Sequence, residues 1–78
     1  MDETLKAALK AYYRLWKALQ VAAAEPHHPE TEDRLRSVGR DANSRLREAG
    51  LFDEDGRLDE KRLTTLMIAQ FPDYDPSL

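Results

Sequence analysis

The fold is decided by one short stretch of the chain, Glu25-Pro26-His27-His28-Pro29. Proline lacks a backbone N–H and disfavours a helical conformation of the residue before it, so Pro26 predicts that a preceding helix ends near Glu25. Proline is also favoured at the first position of a helix, which makes Pro29 a good start for the next one. The stretch therefore predicts two helices joined by a short connection.

The segment before this break has a helical pattern from about residue 3 to residue 24. It is rich in Ala, Leu and Lys, which favour helices, and it contains no Gly or Pro. Its larger apolar residues recur every three or four positions, the spacing of one helix face. They are Leu5, Leu9, Tyr12, Trp16, Leu19 and Ala23. We expect this face to contact the core, and we expect Asp2, Glu3 or Thr4 to cap the start of the helix.

The segment after the break predicts a second helix over residues 29–49. Its apolar stripe is narrow and consists of Leu35, Val38, Ala42, Leu46 and Ala49. We interpret Gly39 inside it as a position of close packing against the first helix, with a kink or a true break as the alternative. Gly50 ends the helix, and Leu46 and Leu51 occupy the two positions that touch in a Schellman cap.

A turn over residues 52–57 precedes a third, shorter helix. Asp59 is a good N-cap, and Leu58 and Leu63 form a hydrophobic staple around it. We place this helix at residues 60–70, with Leu63, Leu66, Met67 and Phe71 facing inward. An acidic tail, residues 72–78, follows, and we expect its Tyr74 to fold back onto the core.

These elements predict an all-α fold. The chain forms one small domain over residues 1–78, built from two longer antiparallel helices and a short third helix. The third helix is about 17 Å long and the first about 33 Å, so the third cannot cover the whole groove between the other two.

Length and composition limit the class of protein. The chain has 78 residues, no cysteine, 41% hydrophobic residues and a net charge of -3. It has no apolar run near the ~20 residues of a membrane span and no secretory leader pattern, so we predict a cytoplasmic protein without a membrane partner. The absence of cysteine agrees with a reducing compartment.

A partial calcium-loop pattern fails when its register is tested. Asp53, Asp55 and Gly56 resemble part of an EF-hand loop. If Gly56 takes the place of the invariant glycine, however, Leu51 falls at the first ligand position and Arg62 at the twelfth. Neither residue can coordinate calcium there. We therefore interpret the segment as a turn followed by an N-cap.

Other site chemistry is sparse. His27 and His28 are adjacent in a loop and have no cysteine partners, so they do not form a zinc site. There is no cysteine nucleophile and no phosphate-binding glycine loop, and no serine has a paired base. We predict a protein that is not an enzyme and that has no metal and no cofactor.

Two surface patterns of the first helix point to a partner. Its alanine strip, Ala7, Ala11, Ala18 and Ala22, widens the apolar arc to about 200° when Leu15 is included, whereas one core needs about 100°. Two neighbouring helices of the same chain could cover this arc, or a partner chain could. Beside it lies a basic stripe, defined as Lys6, Lys10, Arg14 and Lys17.

We therefore predict a non-enzymatic protein-interaction module, a small regulatory adaptor or inhibitor that binds a larger protein, with homodimerisation through the first helix as a variant. An apolar partner surface would consist of Tyr12, Leu15 and Trp16. An electrostatic one would be the basic stripe. Charge is segregated along the chain, with a net +3 between Thr4 and Ala49 and a net -4 from Gly50 to Leu78.

The alternative function is a nucleic-acid-binding regulator. Arg36, Arg40, Asn43 and Arg47 fall within about 60° of one another on the second helix. Arginine and asparagine are the residue types that contact phosphates and base edges. A simple solvated face explains the same pattern, with local ion pairs from Arg36 and Arg40 to Glu32, Asp33 or Asp41. The sequence pI of about 5.3 also makes nucleic acid the less favoured partner.

Overall fold

The computed structural model describes residues 2–25 and 29–77, and it contains three α-helices. Helix α1 spans Glu3–Ala24, α2 spans Pro29–Glu48 and α3 spans Glu60–Gln70. The described residues form no β-strand, only an isolated antiparallel bridge between Phe52 and Leu58. The prediction of an all-α domain with two longer helices and a short third is confirmed. His27 and His28 lie outside the described residues.

The helix ends follow from local capping. The Asp2 side chain accepts a hydrogen bond from the backbone N–H of Thr4 at 2.9 Å, and Asp59 accepts one from Arg62 at 3.2 Å. Each carboxylate satisfies an amide that the first turn leaves without a helical partner. Both N-caps were predicted from the sequence.

The end of α2 is a complete Schellman motif. Gly50 has a φ of 74°, the backbone N–H of Leu51 donates to the Leu46 carbonyl at 3.0 Å, and that of Gly50 donates to Arg47 at 3.1 Å. This motif takes Ala49 and Gly50 into the turn, so the helix ends at Glu48, one residue before the predicted boundary.

The acidic loop between α2 and α3 is held by the side chain of Asp53. One oxygen of Asp53 accepts from the backbone N–H groups of Asp55 and Arg57, both at 2.9 Å. Gly56 supplies the positive φ of 79° that the turn requires. This arrangement supports the interpretation of the segment as a turn.

Helices α1 and α2 are antiparallel. Leu46, near the end of α2, belongs to the same cluster as Ala8 and Leu9 near the start of α1, whereas Gly39 faces Leu15 farther along. The helix continues through Gly39, so the alternative of a true break there is wrong. A β-carbon at Gly39 would lie 3.9 Å from the Leu15 side chain, which is an ordinary contact distance. The position therefore has room for a methyl group.

The core occupies one end of the molecule. Helix α1 contacts both α2 and α3, and the chain after α3 returns to cover α1. The buried cluster consists of Ala8, Leu9, Trp16, Leu46, Leu51, Leu63, Met67 and Tyr74. Leu66 and Phe71 are partly buried against it, and Tyr74 is only 9% exposed. The predicted inward face of α3 and the return of Tyr74 are confirmed.

The opposite end of the hairpin has no comparable core. Residues 19–25 of α1 and 29–41 of α2 contain no buried residue, and we call this part the open end. Leu19 is 52% exposed and Ala23 is also exposed, although both continue the predicted core stripe. Among the described residues, the hydrogen bond, the ion pair and the ring contacts that join the tail to α1 reach no farther along α1 than Lys17. A third layer over Leu19 and Ala23 is therefore missing.

Candidate interaction surface

The wide apolar arc of α1 is covered largely by the chain itself. Ala11 and Ala18 are buried, while Ala7, Ala22 and Leu15 are half-buried. The other side of the arc lies under α3 and the tail. Of the two explanations offered by the sequence, intramolecular packing accounts for most of the arc, and only the part within the open end is left exposed.

Trp16 lies in the core and not on a partner surface. It is 6% exposed, and the Tyr74 ring packs edge-on against it at a centroid distance of 5.1 Å. Tyr12 is half-buried and packs edge-on against the same ring at 6.3 Å. The returning tail covers these aromatic rings. Each residue of the predicted apolar surface is therefore at least partly buried, and its third member, Leu15, faces Gly39.

The tail also binds one end of the basic stripe. The Tyr13 hydroxyl donates to an Asp73 oxygen at 2.6 Å, and the Lys17 ammonium lies 3.3 Å from the same oxygen. The hydrogen bond from Tyr13 is the main reason that the pKa of Asp73 is below its usual value. The contact with Asp73 raises the pKa of both Tyr13 and Lys17. These three side chains form a charged, hydrogen-bonded contact between the tail and α1 at the surface.

The rest of the basic stripe is exposed and carries uncompensated charge within residues 2–25 and 29–77. Only two ion pairs occur in that part of the chain, Lys17 with Asp73 and Asp41 with Arg45. Lys6, Lys10 and Arg14 take part in neither. Three side chains of the predicted electrostatic surface on α1 are therefore not neutralised by an ion pair within the described residues.

The arginine face of α2 is exposed but partly engaged. Arg36, Arg40 and Asn43 are exposed, whereas the Arg47 guanidinium lies over the Phe52 ring at 4.6 Å. The predicted local pairs of Arg36 and Arg40 with acidic neighbours are absent from the described ion pairs. Asp41 instead receives two bonds from Arg45, at 3.0 and 3.1 Å, because the i,i+4 spacing brings them together.

A groove between α1 and α2 was not predicted from the sequence. It has a volume of about 650 Å³ and extends from Tyr13 into the open end. Its lining residues are Tyr13, Arg14, Lys17, Ala18, Val21 and Glu25 on α1 and Glu30, Thr31, Arg34 and Val38 on α2. A cleft of this size is within the range of ligand and peptide sites. The sequence feature that could have indicated the groove is Val21, an apolar residue beside the basic stripe of α1.

Exposed apolar side chains mark the same region. Among residues 2–25 and 29–77, three large ones are about half exposed: Leu19 at 52%, Val21 at 48% and Ile68 at 52%. Leu19 and Val21 both belong to the open end, whereas Ile68 lies on α3. Isolated exposed residues are ordinary on a protein surface, so the informative points are that Val21 lines the groove and that Leu19 lies where the third layer is missing.

Other classes of site find no support in the described residues. No three His, Asp or Glu side chains among residues 2–25 and 29–77 are grouped so that they could hold a metal ion. None of the helices described there has the length and apolar character to cross a membrane.

Comparison with family models, curated proteins and solved structures finds no match for this chain.

Proposed function

We propose that this protein is a non-enzymatic interaction module, a small adaptor or inhibitor whose partner is a larger protein that binds the open end of the α1–α2 hairpin. The observation that carries the proposal is the missing third layer. Core residues stop at Ala18 on α1 and begin at Ala42 on α2. Beyond them Leu19 and Val21 are half exposed, and Val21 lines the groove.

The energetics require more than these two side chains. Completing the burial of Leu19 and Val21 contributes about 2 kcal/mol in total. A micromolar complex requires about 8 kcal/mol. The partner must therefore also use the groove and the charged residues beside it. Since the chain contains no cysteine and needs no oxidising compartment, we place this interaction in the cytoplasm.

The test is capture of partners from an extract of the native host with two matched variants. Val21→Gln changes the open end, and Ile68→Gln makes a similar change at a similarly exposed site on α3. Glutamine keeps a high helix propensity, so both variants should fold, which circular dichroism checks. We expect a protein retained by the wild type and by Ile68→Gln to be lost with Val21→Gln.

Each alternative gives a different outcome. Capture that is lost after nuclease treatment contradicts the proposal and favours nucleic-acid binding through Arg36, Arg40, Asn43 and Arg47. Recovery of a second copy of this chain indicates a homodimer at the open end. Equal loss with both variants, or no loss with either, shows that the open end is not the binding surface.

A further inference from the structure

We propose, on the basis of the function above, that the groove takes an acidic amphipathic segment of the partner. Its apolar side chains would lie against Val21 and Val38, and its carboxylates would contact Arg14 and Arg34. Helices in grooves commonly use such a set of apolar anchors with complementary charge at the rim.

The charges that line the groove are sorted along its length. Glu25 and Glu30 lie beside the connection between the two helices, at the end of α1 and the start of α2. The basic lining residues, Arg14, Lys17 and Arg34, lie at least one helical turn deeper. Lys10 and Lys6 continue the positive charge along α1 beyond the groove. Because Lys17 is already paired with Asp73, the cations left for an occupant are Arg14 and Arg34. The acidic residues of an occupant would therefore lie away from the connection, where Glu25 and Glu30 stand.

The tail of the chain already shows what this surface binds. The Phe71 ring stacks on the Tyr13 ring at a centroid distance of 4.3 Å. Two residues later, the Asp73 carboxylate contacts Tyr13 and Lys17. Tyr13 and Lys17 are themselves lining residues of the groove. An apolar ring and a carboxylate are thus held at its edge, and an intermolecular segment with the same chemistry can extend this arrangement into the groove.

The tail does not pair with the other two cations of the groove, Arg14 and Arg34, so these can contact another chain. Among the described residues, neither Arg14 nor Arg34 forms an ion pair. Tyr13 and Glu25 stand at opposite ends of the α1 wall, and their twelve-residue separation corresponds to about 18 Å of helix. A segment of about three helical turns therefore matches the groove in length.

The test uses the full chain and a synthetic probe. The probe is a fluorescent amphipathic peptide of about 15 residues with leucine on one face and glutamate beside it, long enough for the ~18 Å wall. A matched peptide carries lysine in place of glutamate. Fluorescence anisotropy measures the affinity, and amide NMR shifts locate the site. We expect saturable binding of the acidic peptide only, with shifts confined to residues 13–25 of α1 and 29–38 of α2.

Charge-reversal variants complete the test. Arg14→Glu and Arg34→Glu should each weaken binding roughly tenfold, as expected for loss of a charge contact at the rim. Arg62→Glu, which makes the same charge change on α3, should leave the affinity unchanged. Equal binding of the lysine peptide, equal weakening by Arg62→Glu, shifts centred on Arg36 and Arg40, or no saturable binding would overturn the proposal.

The two proposals fail separately. If capture depends on Val21 but the acidic peptide does not bind the groove, the open end is the interaction surface and its occupant has other chemistry. If capture is insensitive to Val21→Gln, the proposed function itself is contradicted.

Discussion

Trp16 is the residue on which the core depends most. It packs against Tyr74 and lies near Tyr13, with ring centroids at 5.1 and 5.6 Å, so it joins α1 to the tail. Its indole nitrogen is buried and has no hydrogen-bond partner in the described residues. A buried donor without a partner costs roughly 1–3 kcal/mol, which partly offsets what the ring contributes.

This gives a first prediction, which compares two substitutions of Trp16. Trp16→Ala should cost about 3–5 kcal/mol in the free energy of unfolding, enough to unfold a domain of this size. Trp16→Phe keeps much of the apolar contact and removes the unpaired N–H, so its cost should be well below that of alanine. Urea titrations of both variants measure the difference. Equal losses would show that the indole N–H is satisfied in solution.

A second prediction concerns Gly39. Its backbone is helical, and a β-carbon there would meet only Leu15 at 3.9 Å, so nothing within the chain requires glycine. Gly39→Ala should raise the free energy of unfolding by about 0.5–1 kcal/mol through helix propensity. Thermal denaturation provides the measurement. A destabilised variant would mean that α1 and α2 approach each other more closely than the structure shows.

At the scale of elements, the attachment of the tail should depend on pH. Because the pKa of Asp73 is lowered, its contact is fully formed above the ordinary aspartate range and is lost as the pH falls through the lowered value. Burial, with a contribution from Tyr12, raises the pKa of Tyr74 from 10.0 to about 12. Its contribution is therefore complete below pH 10.0 and is lost as the pH rises towards 12.

The measurement for this third prediction is Trp16 fluorescence as a function of pH, because Trp16 lies against Tyr74. Asp73→Asn should remove most of the acidic transition, and Tyr74→Phe should shift the alkaline transition. The raised pKa values of Tyr13 and Lys17 are common to the wild type and the Tyr74 variant, so the comparison isolates Tyr74. Unchanged transitions in both variants would contradict the attachment of the tail seen here.

The helices could be predicted from the sequence because their limits are set locally. Pro29, Asp59 and Gly50 each fix an end through their own backbone or a neighbouring amide. The return of Tyr74 was also predictable, since an aromatic residue in an acidic tail favours burial. The partner of Asp73 was not predictable in detail, because the contact with Tyr13 spans sixty residues of sequence and depends on the direction in which α3 crosses α1.

The candidate site was predicted only in part. The basic stripe could be predicted because its residues recur with helical periodicity, and Lys6, Lys10 and Arg14 are exposed as expected. Trp16 was predicted both on the core-facing stripe and in a partner surface, and the structure confirms the core placement. The sequence left both open because a wide apolar arc does not show which of its residues the same chain covers. The groove depends on the separation of two helices, which no local pattern encodes.

At the scale of the molecule, the distribution of buried residues predicts uneven stability. Side chains at the open end contribute little apolar burial, so its amides should exchange through local opening, while those of the core require global unfolding. We expect faster hydrogen exchange over residues 19–25 and 29–38 than around Leu9, Leu46 and Met67. Uniform protection along both long helices would contradict the division into a core end and an open end.

Whether a partner protein binds the open end of the hairpin can be measured by site-specific photo-crosslinking. A photoreactive residue is placed at Val21 or, as the control, at Ile68, which is similarly exposed on α3. Both proteins are irradiated in an extract of the native host, and the adducts are identified by mass spectrometry. We expect one specific protein adduct from position 21 that is absent from position 68. The same adducts from both positions, or an adduct from position 68 alone, would contradict it.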